Sequence, residues 1–313
     1  MSELYESFFH FNEVPFNLTP DPKFVYLSPG HQEVLEHMIY GIEQRKGFIL
    51  IAGDVGAGKT TLTRLLVNRL DERTNNALIF NTFLNEIELL RAINRDFGLS
   101  TEGPTREALI EALNRFLIDK LASGGNAVLV IDEAQNLSVP VLEQIRMLSN
   151  LETETKKLIQ IILVGQPELT RTLNRPDLAQ LNQRITVRCR LSPMKFEDTV
   201  RYIHHRISVA GPQSLVRFNP RTYRLIHRFS GGVPRQINAI CDRALLVAFA
   251  RGRHLIKPGD VRQAWGEQAG VERRRWLSAY NQKLSRNLIP STLLFILVIL
   301  ASYLGYTKIK GAF

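Results

Sequence analysis

Residues 53–60 read Gly53-Asp54-Val55-Gly56-Ala57-Gly58-Lys59-Thr60 and fit the pattern G-x-x-x-x-G-K-[ST]. They lie between an apolar run, residues 48–52, and a helical pattern, residues 61–70, which is the setting that a phosphate-binding P-loop requires. The glycines let the loop turn its backbone N–H groups inward around phosphates, and the helix that follows points its positive end at them. We therefore predict a nucleotide site formed by Gly53, Asp54, Val55, Gly56, Ala57, Gly58, Lys59, Thr60 and Thr61.

A second motif supplies the acids that nucleotide hydrolysis needs. Residues 127–131 form a continuous apolar run, as expected of a buried parallel strand, and end in Asp132-Glu133. Asp132 is predicted to hold Mg²⁺ as a Walker B acid, together with Thr60, while Lys59 reaches the β- and γ-phosphates. Glu133 is predicted to polarise the attacking water. ATP and Mg²⁺ are therefore the expected cofactors, and the alternative reading of Asp132-Glu133 is a solvated turn after a strand.

The chain between the two motifs has room for more than one strand and helix. Residues 77–80 read as a strand, and residues 85–97 and 105–121 have the apolar spacing of helices. An extra strand between the motifs, together with a catalytic acid at Glu133, points to the additional-strand branch of P-loop ATPases.

Two more strands are predicted beyond the acidic motif. Residues 158–164 form a buried strand that leads to Gly165-Gln166-Pro167. A polar side chain at such a strand tip can contact the γ-phosphate or its water, so Gln166 is a sensor candidate; its alternative reading is a turn residue before Pro167. Residues 185–191 alternate between apolar and polar side chains, which predicts an edge strand with one buried and one charged face.

Helical patterns dominate the segment that follows. They cover residues 195–209, 220–229, 234–250 and 258–266. A strand-rich core followed by a small helical lid places the nucleotide at the junction of the two.

The composition limits the classes of partner. The chain has 313 residues, with 40 Lys and Arg against 30 Asp and Glu, and its formal charge of +10 favours acidic partners. Cys189 and Cys241 have neither metal-ligand nor disulfide-framework spacing, which indicates a reducing compartment. No helix-turn-helix, zinc-finger or aromatic RNA-binding signature stands out, so nucleic acid is not the favoured partner. The arginines that leave it open are Arg188, Arg190, Arg217, Arg221, Arg224 and Arg228.

The end of the sequence predicts a membrane anchor. Residues 287–307 contain no charged side chain, and residues 288–306 are close to the roughly 20 apolar residues that cross a bilayer. The basic stretch before them, residues 271–287, places the N-terminal ATPase in the cytoplasm by the positive-inside rule. We therefore expect a single-pass protein of the bacterial inner membrane; the alternative is a buried core helix.

The chain resembles the ExeA-type AAA+ ATPases, the general secretion pathway protein A family, over nearly all of its length. The resemblance rests on the order and combination of short segments, of which only the P-loop is specific by itself. The segments are Phe8-Phe9, Pro15-Phe16, Thr19-Pro20-Asp21-Pro22, Gly53 to Thr60, Asp132-Glu133-Ala134-Gln135-Asn136-Leu137, Gly165-Gln166-Pro167-Glu168-Leu169, Gln183-Arg184-Ile185 and Gly231-Gly232-Val233-Pro234-Arg235.

The resemblance implies a homo-oligomer, a ring such as a hexamer, that works with secretion or pilus-assembly proteins in the bacterial envelope. It suggests Arg184 as an arginine finger supplied by a neighbouring subunit and Arg235 as a sensor 2 residue of the lid. As plain sequence, either arginine could be a surface charge. Members of the secretion branch commonly carry a peptidoglycan-binding region beyond the membrane helix, and we expect a separate partner to supply wall binding here.

We therefore predict an α/β P-loop NTPase of the AAA+ type with a C-terminal helical lid and a single C-terminal transmembrane helix. Its expected activity is Mg²⁺-dependent hydrolysis of ATP to ADP and phosphate, which drives or regulates assembly of a secretion or type IV pilus-like machine. The alternative is a DNA-associated ATPase regulator of the transposition type. The predicted divisions are an N-terminal segment (1–46), the ATPase core (47–192), the lid (193–270), a basic linker (271–287) and the membrane span (288–306).

Overall fold

The computed structural model describes residues 2–19, 21–101, 105–267 and 270 of the chain. Its centre is a sheet of five parallel strands in the order β2-β3-β4-β1-β5. The strands are β1 (Phe48–Gly53), β2 (Thr74–Ile79), β3 (Asn126–Ile131), β4 (Gln160–Gly165) and β5 (Ile185–Leu191). The extra strand predicted between the two motifs at residues 77–80 is present as β2, and in the sheet β4 lies between β1 and β3.

The parallel arrangement brings the predicted site residues to one edge of the sheet. The P-loop follows β1, Asp132 follows β3 and Gln166 follows β4. Because the carboxyl ends of parallel strands meet at the same edge, these three segments are neighbours although they are far apart in sequence. β5 is an edge strand, as predicted.

Helices cover both faces of the sheet and continue into a C-terminal helical unit. They are α1 (Ser2–Phe9), α2 (Pro29–Glu43), α3 (Lys59–Val67), α4 (Glu86–Asp96), α5 (Arg106–Ala122), α6 (Val139–Leu148), α7 (Pro167–Leu173), α8 (Ala179–Arg184), α9 (Phe196–Ala210), α10 (Pro220–Ser230) and α11 (Pro234–Ala250). Residues 258–267 are also helical. A short parallel pair, β6 (Arg217–Phe218) and β7 (Leu255–Ile256), completes the unit.

Alternation along the strands divides the core between the two faces of the sheet. Leu129 and Ile131 of β3 point to the face covered by α4 to α8, whereas Val128 and Val130 point to the face covered by α2 and α3. All four side chains are at most 1% exposed. Both faces of the sheet are therefore buried, which explains the continuous apolar run seen in the sequence.

The N-terminal residues pack against the C-terminal helical unit. Phe9, Phe11 and Phe16 share a buried cluster with Ile203 of α9 and Ile240 of α11. The segment before α2 thus lies beside the helical unit, and α2 connects it to β1 of the sheet. The predicted divisions at residues 46 and 192 stay predictions.

Local signals set the limits of the last helices. α10 and α11 both begin with a proline, a residue that is favoured at the first helical position because it has no N–H to satisfy. Asn219 caps α10 by accepting a hydrogen bond from Arg221 N, and α10 is followed directly by Gly231, whose φ is 59°. Glycine at this position adopts the left-handed backbone that ends many helices.

The predicted localisation, a single-pass protein of the bacterial inner membrane, is contradicted. In the described part of the chain, no helix is long and apolar enough to cross a bilayer. α5 and α11 have 17 residues each, whereas a span takes about 20 consecutive apolar residues. The basic linker (271–287) and the span (288–306) on which the prediction rested lie outside the described residues.

Candidate functional site

The loop between β1 and α3 depends on two glycines. Gly56 has φ of 79° and Gly58 has φ of 101°, a region of backbone space that strains other residues. α3 begins directly afterwards at Lys59, so the N–H groups of its first turn have no partner within the helix. Such a turn favours a bound phosphate.

Lys59 lies inside this loop and is only 5% exposed. Its Nζ donates hydrogen bonds to the backbone oxygens of Gly53 at 2.9 Å and Asp54 at 3.1 Å. These bonds hold the ammonium group on the inner side of the loop. A phosphate that entered the loop would meet a positive charge already in position.

Thr60 and Asp132 form the next part of the site. Thr60 Oγ1 donates to Asp132 Oδ2 at 2.6 Å, and Asp132 is 2% exposed at the end of β3. A hydroxyl and a carboxylate are the hard oxygen ligands that Mg²⁺ prefers, and this ion commonly takes only one or two protein ligands beside phosphate and water. Among the residues that the structure describes, no group of three or more His, Cys, Asp or Glu could hold a metal. The pair therefore fits a nucleotide-bound Mg²⁺.

Glu133 follows Asp132 in a constrained backbone conformation, with φ of 51°. Its Oε2 accepts hydrogen bonds from Gln135 Nε2 at 2.6 Å and from Gln166 Nε2 at 3.3 Å. Its own backbone N–H donates to Asp132 Oδ1 at 2.8 Å. The carboxylate lines the same cleft as Lys59 and Thr60. The structure thus brings the predicted water-activating acid and the predicted sensor, Gln166, together.

Sequence reasoning gave no role to Gln135. Besides its bond to Glu133, its Oε1 accepts the backbone N–H of Gln166 at 3.0 Å. It lies in the segment after Asp132 that carried the family resemblance, so the only sequence signal was a polar residue close to the acidic pair. Its bond to Gln166 could not be predicted from the sequence, because Gln166 is 31 residues away.

Arg235 reaches the site from the first turn of α11. Its backbone N–H donates to the Gly56 carbonyl at 3.3 Å, and its side chain lines the cleft beside the P-loop. A Cβ added at Gly56 would lie 2.6 Å from Arg235 Cβ. The absence of a side chain at Gly56 is what allows α11 to approach the loop this closely.

The cleft between the P-loop and the helical unit has a volume of about 350 Å³. The N-terminal segment forms one of its walls, because Arg206 donates to the backbone oxygens of Pro15 and Asn17. Arg206 is 7% exposed and its guanidinium lies 4.7 Å from the ring centre of Phe24. Three distant parts of the chain, the P-loop, the N-terminal segment and the helical unit, therefore share one cleft.

A buried histidine supports the P-loop from α2, and the sequence did not predict it. His31 Nε2 lies 3.0 Å from the Ala57 carbonyl, and its Nδ1 lies 2.6 Å from Ser28 Oγ. Because a carbonyl only accepts, Nε2 carries the proton and Nδ1 accepts from the Ser28 hydroxyl. Burial lowers the pKa of His31 below its ordinary value, which favours this neutral form.

Arg184 is not part of the cleft. It ends α8, and its Nη1 donates to Ser149 Oγ at 2.7 Å. The next residue, Ile185, pairs with Phe48 at the start of β1, whereas the P-loop follows the end of β1. The start of β1, beside Arg184, and the P-loop at its end are separated by six residues of strand, a distance of about 20 Å at roughly 3.3 Å per residue. Arg184 therefore lies too far from the P-loop of its own chain to act there.

Comparisons with known proteins give the chain a family and a fold. A family profile described as an AAA domain matches residues 42–173. General secretion pathway protein A of Aeromonas hydrophila is 43% identical over 291 residues, which cover 92% of this chain and 53% of that protein. This chain thus spans about half the length of that relative.

Solved structures resemble the described fold at low sequence identity. Cdc6p from Pyrobaculum aerophilum has a TM-score of 0.60 at 20% identity, covering 79% of this chain and 70% of that one. The Aeropyrum pernix ORC1 protein in complex with DNA has a TM-score of 0.60 at 18% identity, covering 85% and 71%. At these identities the likeness is one of fold, an α/β P-loop NTPase with a parallel sheet.

Proposed function

Because this chain belongs to the AAA ATPases of the General secretion pathway protein A type, we propose that it hydrolyses ATP with Mg²⁺ to drive or regulate assembly of a bacterial secretion or pilus-like machine. The catalytic half of this proposal, hydrolysis of ATP, rests on the position of Glu133. Two glutamines hold its carboxylate at the wall of the cleft that Lys59 and Thr60 also line.

Each part of the cleft has one task in this proposal. The P-loop N–H groups and Lys59 bind the phosphates, and Thr60 and Asp132 hold Mg²⁺, which when bound neutralises phosphate charge. Glu133 takes a proton from water as the water oxygen attacks the γ-phosphorus, and Gln166 orients that water or the γ-phosphate. The products are ADP and phosphate.

The helical unit acts as a lid in this proposal. Arg235 is held beside the P-loop through its backbone bond to Gly56, and its side chain lines the cleft, so we infer that its guanidinium group attracts the γ-phosphate of bound ATP. Loss of the γ-phosphate would weaken that attraction and loosen the lid. Hydrolysis would then change the position of the helical unit relative to the sheet.

A binding and turnover comparison tests the catalytic half. Glu133→Gln keeps the shape of the side chain and loses the base, so we expect ATP binding near wild type with phosphate release reduced at least about 100-fold. Lys59→Ala should instead weaken ATP binding itself. Glu168→Gln, an exposed carboxylate on α7, is the matched control and should behave as wild type. Wild-type turnover in Glu133→Gln would remove this residue from the mechanism.

The name of the A. hydrophila relative supports the biological half. The test is to replace the chromosomal copy with Glu133→Gln or Glu168→Gln and to measure exported proteins and surface pili. We expect export or piliation to be lost only with Glu133→Gln, at equal protein levels. Normal export and normal pili in an ATPase-dead strain would exclude the envelope role while leaving the ATPase chemistry intact.

A further inference from the structure

Four arginines surround one groove on the helical unit. Arg221, Arg224 and Arg228 lie on α10, and Arg262 lies on the neighbouring helical residues 258–267. All four are exposed, and the groove between them has a volume of about 430 Å³. Its other lining residues are Leu225 and Pro258. We call this feature the arginine groove.

The arginine groove has no negative charge of its own. α10 contains no Asp or Glu, and the two carboxylates in residues 258–267 are engaged elsewhere. Asp260 is 0% exposed and binds Arg251 and Arg253, and Glu267 lies 3.9 Å from Arg243. None of the four guanidinium groups of the groove takes part in an ion pair with another described residue.

Only some of the arginines noted in the sequence contribute to this feature. Arg188 is on β5 and donates to Asn182, and Arg217 is on β6. Arg262, which the sequence did not single out, joins the three arginines of α10. The fold therefore concentrates uncompensated positive charge in one groove, and the mutual repulsion of these groups is relieved when an anion binds.

We propose that the arginine groove binds the sugar-phosphate backbone of nucleic acid. The spacing of Arg221, Arg224 and Arg228 places them on one face of α10 over about 10 Å of helix. A nucleic acid strand carries a phosphate on every nucleotide, so it can meet all of these groups at once whatever its sequence. The planar fork of a guanidinium pairs with two phosphate oxygens.

The lining also indicates how selective this binding is. Apart from arginine, the groove offers Leu225 and Pro258, which provide no side-chain donor or acceptor for base edges. Binding is therefore to the backbone, with little dependence on base sequence. The groove shares no lining residue with the ATP cleft, so this inference goes beyond the proposed function and does not depend on it.

The test measures binding of a fluorescein-labelled DNA duplex of mixed sequence to the full-length chain by fluorescence anisotropy, over a series of salt concentrations. The test variant is R221Q/R224Q/R228Q/R262Q. We expect its affinity to fall at least about tenfold, and the slope of log K against log salt to become shallower by up to about 3.6, because each phosphate contact contributes about 0.9. R224Q/R228Q should give about half of that change in slope.

The matched control, R69Q/R73Q/R91Q/R95Q, removes the same charge from exposed positions on the ATPase core. It should keep most of the affinity and the slope. Equal losses in the two quadruple variants, or no duplex binding by the wild type at low salt, would overturn the proposal. A poly-glutamate peptide is the second probe: if it binds through these arginines and the duplex does not, the groove serves an acidic protein and the proposal is also overturned.

The variants must remain folded for this comparison. The four side chains are exposed and lie outside the ATP cleft, so we expect unchanged ATP hydrolysis and an unchanged melting temperature. If the quadruple variant unfolds, R224Q/R228Q decides alone: a wild-type salt slope in that folded variant would refute the site.

Discussion

Gln135 donates a hydrogen bond from Nε2 to Glu133 Oε2 over 2.6 Å, while its Oε1 accepts the backbone N–H of Gln166. One side chain thus fixes the proposed water-activating acid relative to the tip of β4. The backbone of Glu133 is in the left-handed region, which few residues other than glycine, asparagine and aspartate adopt readily. We infer that Gln135 is a positioning residue for Glu133 rather than a group that touches ATP.

The first prediction is that Gln135→Leu lowers kcat with little change in KM. Hydrogen bonds to charged groups are worth about 1.5–3 kcal/mol, so loss of the orienting bond should reduce turnover by roughly 10- to 100-fold. Steady-state phosphate release over a range of ATP concentrations separates the two constants. Gln263→Leu, at an exposed glutamine of the helical unit, is the control. An unchanged kcat, or an equal change in KM, would show that Gln135 does not position the acid.

The second prediction concerns His31 and pH. Burial lowers the pKa of folded His31 below the ordinary value near 6.5, so the unfolded chain takes up a proton more readily. The stability that neutral His31 provides is therefore present above about pH 6.5 and is lost as the pH falls below it. His31→Gln keeps a donor for the Ala57 carbonyl but cannot titrate.

The measurement is the melting temperature of both proteins between about pH 7.5 and 5.5, a range that spans the ordinary pKa of histidine. We expect a smaller loss in His31→Gln than in the wild type. Burial also lowers the pKa of His205, but this residue is the same in both proteins and cancels in the difference. Parallel curves would mean that His31 contributes nothing to the acid sensitivity.

The third prediction tests the contact between the P-loop and α11. Gly56→Ala places a methyl group 2.6 Å from Arg235 Cβ and forces alanine into φ of 79°. The loop relieves this clash and the backbone strain, which is roughly 1–2 kcal/mol, by leaving the conformation that binds phosphate, so we expect ATP affinity to fall about tenfold or more in an equilibrium titration. Gly30→Ala is the matched control, because a Cβ at this helical position meets nothing within 4 Å. Equal ATP affinity in the two variants would show that the close approach of α11 to the P-loop does not contribute to nucleotide binding.

The elements that the sequence predicted well are those with strong local signals. Leu129 and its neighbours in β3 are apolar on both faces, and the prolines that start α10 and α11 mark helix starts. β2 was predicted at residues 77–80 but runs from Thr74 to Ile79. Its polar start has weak strand propensity, and pairing of Thr74 with Asn126 in β3 extends it.

The parts of the site that the sequence missed depend on contacts between distant residues. His31 contacts a carbonyl 26 residues away, and Arg206 binds the backbone of Pro15, 191 residues away. No local sequence pattern indicates such partners, because a histidine or arginine that becomes buried has the same neighbours in sequence as one that stays exposed. The P-loop and Asp132 could be predicted from the sequence because their chemistry requires fixed residue types at fixed spacing.

The last prediction is that Arg184 acts on the ATP of a neighbouring subunit. Its position about 20 Å along the strands from the P-loop excludes action in its own site. An arginine finger delivered in trans contributes roughly 10³ to 10⁵ in rate, so Arg184→Ala should be almost inactive. Arg188→Ala removes a nearby exposed arginine of β5 and should stay active.

Mixing two inactive variants tests the shared site directly. Arg184→Ala retains Glu133, and Glu133→Gln retains Arg184, so a mixed oligomer contains some interfaces with both intact groups. We expect ATP hydrolysis to reappear on mixing and to rise with protein concentration, because assembly depends on concentration. If mixed oligomers are shown to form and the activity stays at the sum of the separate proteins, Arg184 does not act across the interface. The role of Arg184 would then be structural, because its hydrogen bond to Ser149 holds α8 to the end of α6.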